Sequence, residues 1–118
     1  YNRNRRNIAA LYTSLLGRAV KCPVEMRDRT HVYHQYTIMT PERAGIIEAL
    51  RDNRISSVVY YPAPLHFQEA FKYLGYEAGD FPESEAAAKE VLSLPIYPEL
   101  DPGKVQLIAG IILSALNN

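Results

Sequence analysis

Apolar residues recur at the spacing of an amphipathic α-helix near both ends of the chain. The first helix is predicted to end at Gly17, because glycine favours helix C-termini. The last is predicted to begin at Pro102, because Asp101 is an N-cap acid and proline favours the first helical position. The two predicted buried faces are Ile8, Leu11, Tyr12, Leu15 and Leu16 in the first helix, and Val105, Ile108, Ile112 and Leu116 in the last.

Three more helices are predicted between these two. Thr40-Pro41-Glu42 is a start signal with Thr40 as N-cap, and the helix that follows is expected to end near Asn53. The other two are a short helix over residues 67–74 that Gly75 ends, and a helix opened by Pro82 that runs through residues 83–92.

Two stretches rich in β-branched and aromatic residues predict strands, over residues 31–40 and 55–61. The second is expected to end at Pro62, because proline has no N–H to donate to a neighbouring strand. Residues 93–98 are expected to be extended and held by two prolines. This order of elements predicts a single α+β domain in which helices pack on a small antiparallel or mixed sheet.

The charge balance argues against two classes of function. Lys plus Arg and Asp plus Glu number 13 each among 118 residues, so no net field attracts nucleic acid or an anionic membrane. No apolar run reaches the roughly 20 residues that a membrane-spanning helix needs.

Cys22 is the only cysteine, which excludes an intrachain disulfide. We therefore expect a cytoplasmic protein that binds neither nucleic acid nor membrane.

The pattern of candidate ligands does not predict a metal site. His31 and His34 are three residues apart on a predicted strand, so their side chains are expected on opposite faces. Glu83 and Glu85 stand together at the start of a predicted helix, where carboxylates usually interact favourably with the helix dipole.

One segment combines stiffness with hydrogen-bonding groups. It is VVYYPAPLHFQ, residues 58–68, called the lip below. Pro62 and Pro64 restrict their own φ angles and the residues before them, and polar groups held in this way lose less entropy on binding. The lip either binds a ligand or is a proline-braced crossover whose side chains bond to its own backbone. Its polar side chains are Tyr60, Tyr61, His66 and Gln68.

Four segments, taken in their order and spacing, resemble the C-terminal domain of the DegT/DnrJ/StrS-type sugar aminotransferases. Residues 5–15 and 31–38 are similar to the helix that leads into that domain and to the strand after it, so the resemblance covers nearly the whole chain. The four segments are Tyr60-Tyr-Pro-x-Pro-Leu-His66, Leu74-Gly-Tyr76, Gly79-Asp-Phe-Pro82 followed by Glu85, and Leu92-Ser-Leu-Pro-x-Tyr-Pro98.

The resemblance implies a pyridoxal-phosphate enzyme of fold type I, the aspartate aminotransferase fold. Residues 1–118 would be its single C-terminal small domain, with residues 1–17 the end of the helix leading into it. The parent enzyme would be a cytoplasmic homodimer that moves an amino group, usually from glutamate, to a keto group of a nucleotide-linked sugar. The absence of methionine at Tyr1 favours a missing upstream part.

The same resemblance divides the chemistry between this chain and the rest of the parent. The family's Schiff-base lysine, the acid on the pyridine nitrogen and the phosphate-binding loop all lie in the N-terminal domain. We therefore expect no catalytic residue, no metal and no bound pyridoxal phosphate in this chain alone.

In the family, the segment that matches the lip folds over the mouth of the active site and helps to hold the nucleotide sugar. The resemblance therefore implies that Tyr60, Tyr61 and His66 bind substrate. Many members have histidine where Tyr60 stands, so a neutral hydroxyl replaces a ring that can become cationic.

Two alternatives stay open. A sugar dehydratase of the same fold, in which the upstream lysine is replaced, would share all the residues of this chain. The second alternative is that the chain is itself a stand-alone binding or dimerisation module without catalytic activity. A domain separated from its partner should expose an apolar face, whereas a stand-alone module should be monodisperse.

Overall fold

The computed structural model describes residues 2–117, and Tyr1 and Asn118, the two ends of the predicted domain, lie outside them. Within that range, helices surround one short sheet, as the order of predicted elements indicates. The elements in chain order are α1 (Asn2–Leu16), β1 (Tyr36–Met39), α2 (Arg43–Asp52), two short 3₁₀ helices (Leu65–Phe67 and Glu69–Leu74), α3 (Pro82–Glu90), β2 (Val91–Leu94) and α4 (Pro102–Leu116).

The sheet is antiparallel, which confirms one of the two predicted forms. β1 pairs with β2 so that Tyr36 lies opposite Leu94 and Met39 opposite Val91. On the outer edge of β2, Val58 exchanges two backbone hydrogen bonds with Ser93, of 3.1 and 2.8 Å. The lip is therefore anchored to the sheet at its first residue, two positions before Tyr60.

Both predicted strands are too long. The first is confined to Tyr36–Met39, because the His31 ring nitrogen Nδ1 accepts the Tyr33 N–H at 2.8 Å and Tyr33 has a φ of +52°. The expectation that His31 and His34 point to opposite faces of a strand is therefore wrong, since neither lies in one. The predicted strand over residues 55–61 is also wrong, because only Val58 pairs with the sheet.

Three predicted helix boundaries also change. Thr40 does not cap α2: its hydroxyl accepts the Glu42 N–H at 3.2 Å in a turn, and the helix begins at Arg43. α3 ends at Glu90, because Val91 leaves the helix to pair with Met39 in the sheet. The predicted helix over residues 67–74 is instead formed by parts of two 3₁₀ helices.

The core forms where α4 packs against α1 and α2. Most of the residues predicted to form the buried faces of the first and last helices lie in this core. Leu11, Leu15 and Leu116 are only partly buried. The predicted cap of α4 is confirmed, since the Asp101 carboxylate accepts the Gly103 N–H at 2.6 Å. Among residues 2–117, no helix is both long and apolar enough to cross a membrane.

Two stacked tyrosines, Tyr12 and Tyr36, lie at the centre of this core with ring centroids 4.9 Å apart. The Tyr12 hydroxyl donates to the Pro95 carbonyl at 2.8 Å, and the Tyr36 hydroxyl lies 2.8 Å from the Thr13 hydroxyl. Burial, which disfavours the phenolate, raises the pKa of Tyr12 and of Tyr36 well above its ordinary value.

We expect these two tyrosines to make the fold sensitive to alkaline pH. Because the folded pKa lies above the unfolded value of about 10, their contribution is complete below about pH 10 and is lost as pH rises toward the folded pKa. Chemical unfolding measured from about pH 8 to about pH 11 should therefore give a falling free energy of unfolding. Tyr36→Phe should reduce the slope of the unfolding free energy against pH. Tyr73→Phe, at an 81% exposed position, should leave this slope unchanged. An equal slope in Tyr36→Phe and in the parent chain would contradict the prediction.

Candidate functional site

A cavity of about 550 Å³ lies between the lip and the junction of α3 with β2. Ala87, Ala88 and Val91 line it from the side of α3 and β2. The lining is mainly apolar, as in small-molecule sites where a few polar groups orient the ligand. The large apolar and aromatic side chains that line it are Tyr60, Tyr61, Leu65, Phe71, Leu74, Tyr76 and Phe81.

The structure brings all four polar side chains of the lip, those of Tyr60, Tyr61, His66 and Gln68, to this cavity. They differ in exposure: Tyr61 is 69% exposed, Tyr60 39% and His66 8%. The tyrosine rings meet edge to face with centroids 5.6 Å apart. Tyr60 and Tyr61 are therefore the accessible groups and His66 is a nearly enclosed one. The substrate-binding role of all three stays a prediction.

His66 is held in the wall of the cavity by aromatic neighbours. Its ring centroid lies 4.3 Å from that of Phe67 and 4.9 Å from that of Phe81. Among the described residues, its ring nitrogen Nε2 is buried without a hydrogen-bond partner. The nearest acid is Glu85, whose Oε2 lies 3.6 Å from Nε2.

Glu85 is a site residue whose contacts the sequence reasoning missed. Its two carboxylate oxygens accept the Gly79 N–H at 3.0 and 2.9 Å. Gly79 has a φ of +93°, a conformation that favours glycine. The sequence pattern assigned Glu85 to the helix dipole, but its spacing from Gly79 in the quoted family segment was a signal for this contact. Glu85 thus connects α3 both to the turn before it and to the lip.

Exposed apolar side chains are concentrated in residues 60–81, where most of them also line the cavity, and together they are called the exposed apolar face. Tyr73 is 81% exposed and Leu65 67% exposed, and all six residues of the second 3₁₀ helix are exposed. Isolated exposed apolar residues are ordinary, whereas a continuous group of them marks a contact surface. The other members of this face are Tyr60, Tyr61, Phe67, Phe71, Leu74, Tyr76 and Phe81.

The lysines of the described residues do not lie where a pyridoxal-phosphate site needs one. A Schiff-base lysine must reach the ligand cavity, yet in the described part of the chain no lysine lines the cavity at the lip. Lys72 is directed to a surface contact with Glu69 at 2.9 Å. These residues do not by themselves fit the cofactor, and the absence of cofactor binding by this chain alone stays a prediction.

A solved structure has the same fold over the whole chain. DesV from S. venezuelae, solved in complex with a ketimine intermediate, aligns with a TM-score of 0.95 at 28% identity, covering 100% of this chain and 32% of DesV. The predicted α+β fold class, that of part of a fold-type I pyridoxal-phosphate aminotransferase, is therefore confirmed, whereas the assignment of the chain to a single C-terminal small domain stays a prediction.

The sequence then places the chain within one family of these proteins. Residues 1–113 match the DegT/DnrJ/EryC1/StrS aminotransferase family. The chain belongs to this family, which confirms the resemblance of its quoted segments.

Two similar proteins show how much of a family member is present. A pleiotropic regulatory protein from Geobacillus stearothermophilus is 46% identical over 112 residues, which are 92% of this chain and 30% of that protein. UDP-N-acetyl-3-dehydro-α-D-glucosamine 3-aminotransferase from Acidithiobacillus ferrooxidans is 36% identical over 118 residues, which are 99% of this chain and 31% of that protein. The chain therefore spans less than a third of the curated relatives it matches.

Proposed function

We propose that residues 1–118 are the C-terminal small domain of a pyridoxal-phosphate-dependent aminotransferase that transfers an amino group to a keto group of a nucleotide-linked sugar. The observation that carries this proposal is the cavity at the lip, where Tyr60, Tyr61 and His66 meet in a chain of this family. The substrate class is supported by a relative named as an aminotransferase of a UDP-linked keto sugar. The glutamate donor, the homodimer and the cytoplasmic location remain predictions of the resemblance.

The chemistry of the cavity favours the sugar over the diphosphate as the part that the lip contacts. In the described part of the chain, no Lys, Arg, Asp or Glu lines the cavity. Neutral tyrosine hydroxyls donate to and accept from sugar hydroxyls, whereas a diphosphate is bound best by cations. We propose that Tyr60 and Tyr61 contact the sugar, and that positive charge for the diphosphate comes from residues outside this cavity.

The exposed apolar face around the cavity supports the assignment to a larger protein. A stand-alone module would leave this face in water, where a continuous group of aromatic side chains promotes association. As a small domain, the chain would cover at least part of it with the remainder of the enzyme.

The test is a kinetic comparison in the full-length enzyme with a nucleotide-linked keto sugar and glutamate. Tyr61→Phe removes one hydroxyl and should raise KM for the sugar nucleotide about twofold to tenfold, since one hydrogen bond contributes about 0.5–1.5 kcal/mol. His66→Ala should also raise it. Tyr97→Phe is the matched control, because Tyr97 is exposed, does not line the cavity and lies outside the exposed apolar face.

Unchanged KM and kcat in both Tyr61→Phe and His66→Ala would overturn the assignment of the lip to substrate. Absence of amino-group transfer to each of several keto sugar nucleotides by the full-length protein, with glutamate and with other amino acids as donors, would overturn the aminotransferase assignment.

A further inference from the structure

One carboxylate connects three parts of the structure that surround the cavity. Glu85 lies in the first turn of α3, accepts the Gly79 N–H with both oxygens, and faces His66 in the lip. Its side chain is 14% exposed and that of His66 is 6% exposed. Since water has little access to either side chain, their interaction is stronger than that of an exposed pair at the same distance.

A carboxylate at this position favours one of the two neutral forms of His66 over the other. Neutral histidine has one N–H and one lone pair, and its partners select between the two forms. A lone pair on Nε2 would face the negatively charged Glu85 oxygen, whereas an N–H would be attracted to it. The separation of 3.6 Å is longer than a hydrogen bond, so the selection acts through the field of the charge.

We infer that Glu85 is a positioning residue that keeps the His66 proton on Nε2 and so leaves the Nδ1 lone pair of His66 to accept a hydrogen bond from a hydroxyl group of the ligand. This inference rests on the proposed function for the identity of that ligand, a hydroxyl-rich sugar. Through Gly79, Glu85 also holds the turn before Phe81, one of the two aromatic rings that confine the imidazole.

No competing charge within the cavity would change this selection. In the described part of the chain, the residues that line the cavity include no Lys, Arg, Asp or Glu. The rings of Phe67 and Phe81 restrict the imidazole by packing, and neither offers a strong hydrogen-bond acceptor to the proton. Glu85 is therefore the group that orients His66.

The first test is nitrogen-15 NMR of the full-length protein labelled at histidine, with the His66 signals assigned by their loss in His66→Gln. The protein should show the protonated, pyrrole-type nitrogen of His66 at Nε2 and the unprotonated, pyridine-type nitrogen at Nδ1. Glu85→Gln is nearly isosteric and can donate its amide N–H to Nε2, so it should shift the proton toward Nδ1. Glu83→Gln, at an exposed position two residues earlier in the same helix turn, should leave the pattern unchanged.

The second test is kinetic and uses the same variants. Glu85→Gln should raise KM for the sugar nucleotide about twofold to tenfold, because the hydrogen bond from the ligand hydroxyl to Nδ1 is lost or must reverse its direction, with a smaller effect on kcat. A general loss of structure would instead lower the unfolding midpoint measured by circular dichroism. Glu83→Gln should match the parent enzyme in both measurements.

A proton on Nδ1 of His66 in the unmodified protein, or an unchanged NMR pattern in Glu85→Gln, would overturn the inference. Because the NMR measurement needs no substrate, it distinguishes failure of the proposed function from failure of this inference. In that case His66 would show the expected protonation while Tyr61→Phe and His66→Ala left the kinetics unchanged.

Discussion

Ile112→Ala is expected to lower the free energy of unfolding by about 2–5 kcal/mol. Ile112 is 0% exposed in α4, the helix that packs against both α1 and α2. Truncation removes apolar contacts and leaves a cavity that the surrounding helices can only partly fill. Urea unfolding followed by circular dichroism measures the change.

Leu107→Ala is the matched control for Ile112→Ala, because Leu107 lies on the same helix and is 57% exposed. Its effect should stay within about 0.5 kcal/mol apart from the small change in helix propensity. Equal effects of the two substitutions would mean that α4 does not pack as described.

Arg43→Met is expected to lower the free energy of unfolding by about 1.5–3 kcal/mol. The Arg43 guanidinium nitrogen Nη1 donates to the carbonyl oxygens of Ala88 and Val91, at 2.7 and 3.2 Å. These carbonyls lie where α3 ends and β2 begins, so without Arg43 they lose a charged donor at a buried junction. Urea unfolding followed by circular dichroism measures the change.

The same substitution should also affect the site, because Ala88 and Val91 line the cavity. Arg18→Met is the control, since Arg18 is exposed in the turn after α1 and its replacement should change stability by less than about 0.5 kcal/mol. If Arg43→Met were as stable as Arg18→Met, Arg43 would not hold the junction together.

The helices that form the core were predictable from local pattern. α1 and α4 follow apolar residues at helical spacing, and Asp101 caps α4 as expected. These signals are reliable because a helix satisfies its own backbone hydrogen bonds and needs a partner only for one face. The predicted end of α3 was wrong because it depends on a contact with a distant part of the chain. Its apolar pattern continues to Leu92, but pairing of Val91 with Met39 ends the helix at Glu90.

The strands were less predictable because a strand needs a neighbour. Residues 55–61 have the composition of a strand, but only Val58 finds a partner, at Ser93. Composition describes a surface that could be half buried, whereas pairing depends on residues far along the chain. The shortened first strand has a local cause, since the His31 ring takes the Tyr33 N–H.

For the site, the order of the residues is enough to predict that Tyr60, Tyr61 and His66 lie on a short segment stiffened by prolines, because proline restricts the backbone wherever it occurs. The folded chain was needed to show that His66 is nearly enclosed while Tyr61 is exposed, and that Glu85 lies 3.6 Å from the imidazole. Backbone stiffness is a local property, whereas burial and the distance between charges depend on how segments far apart in the chain pack together.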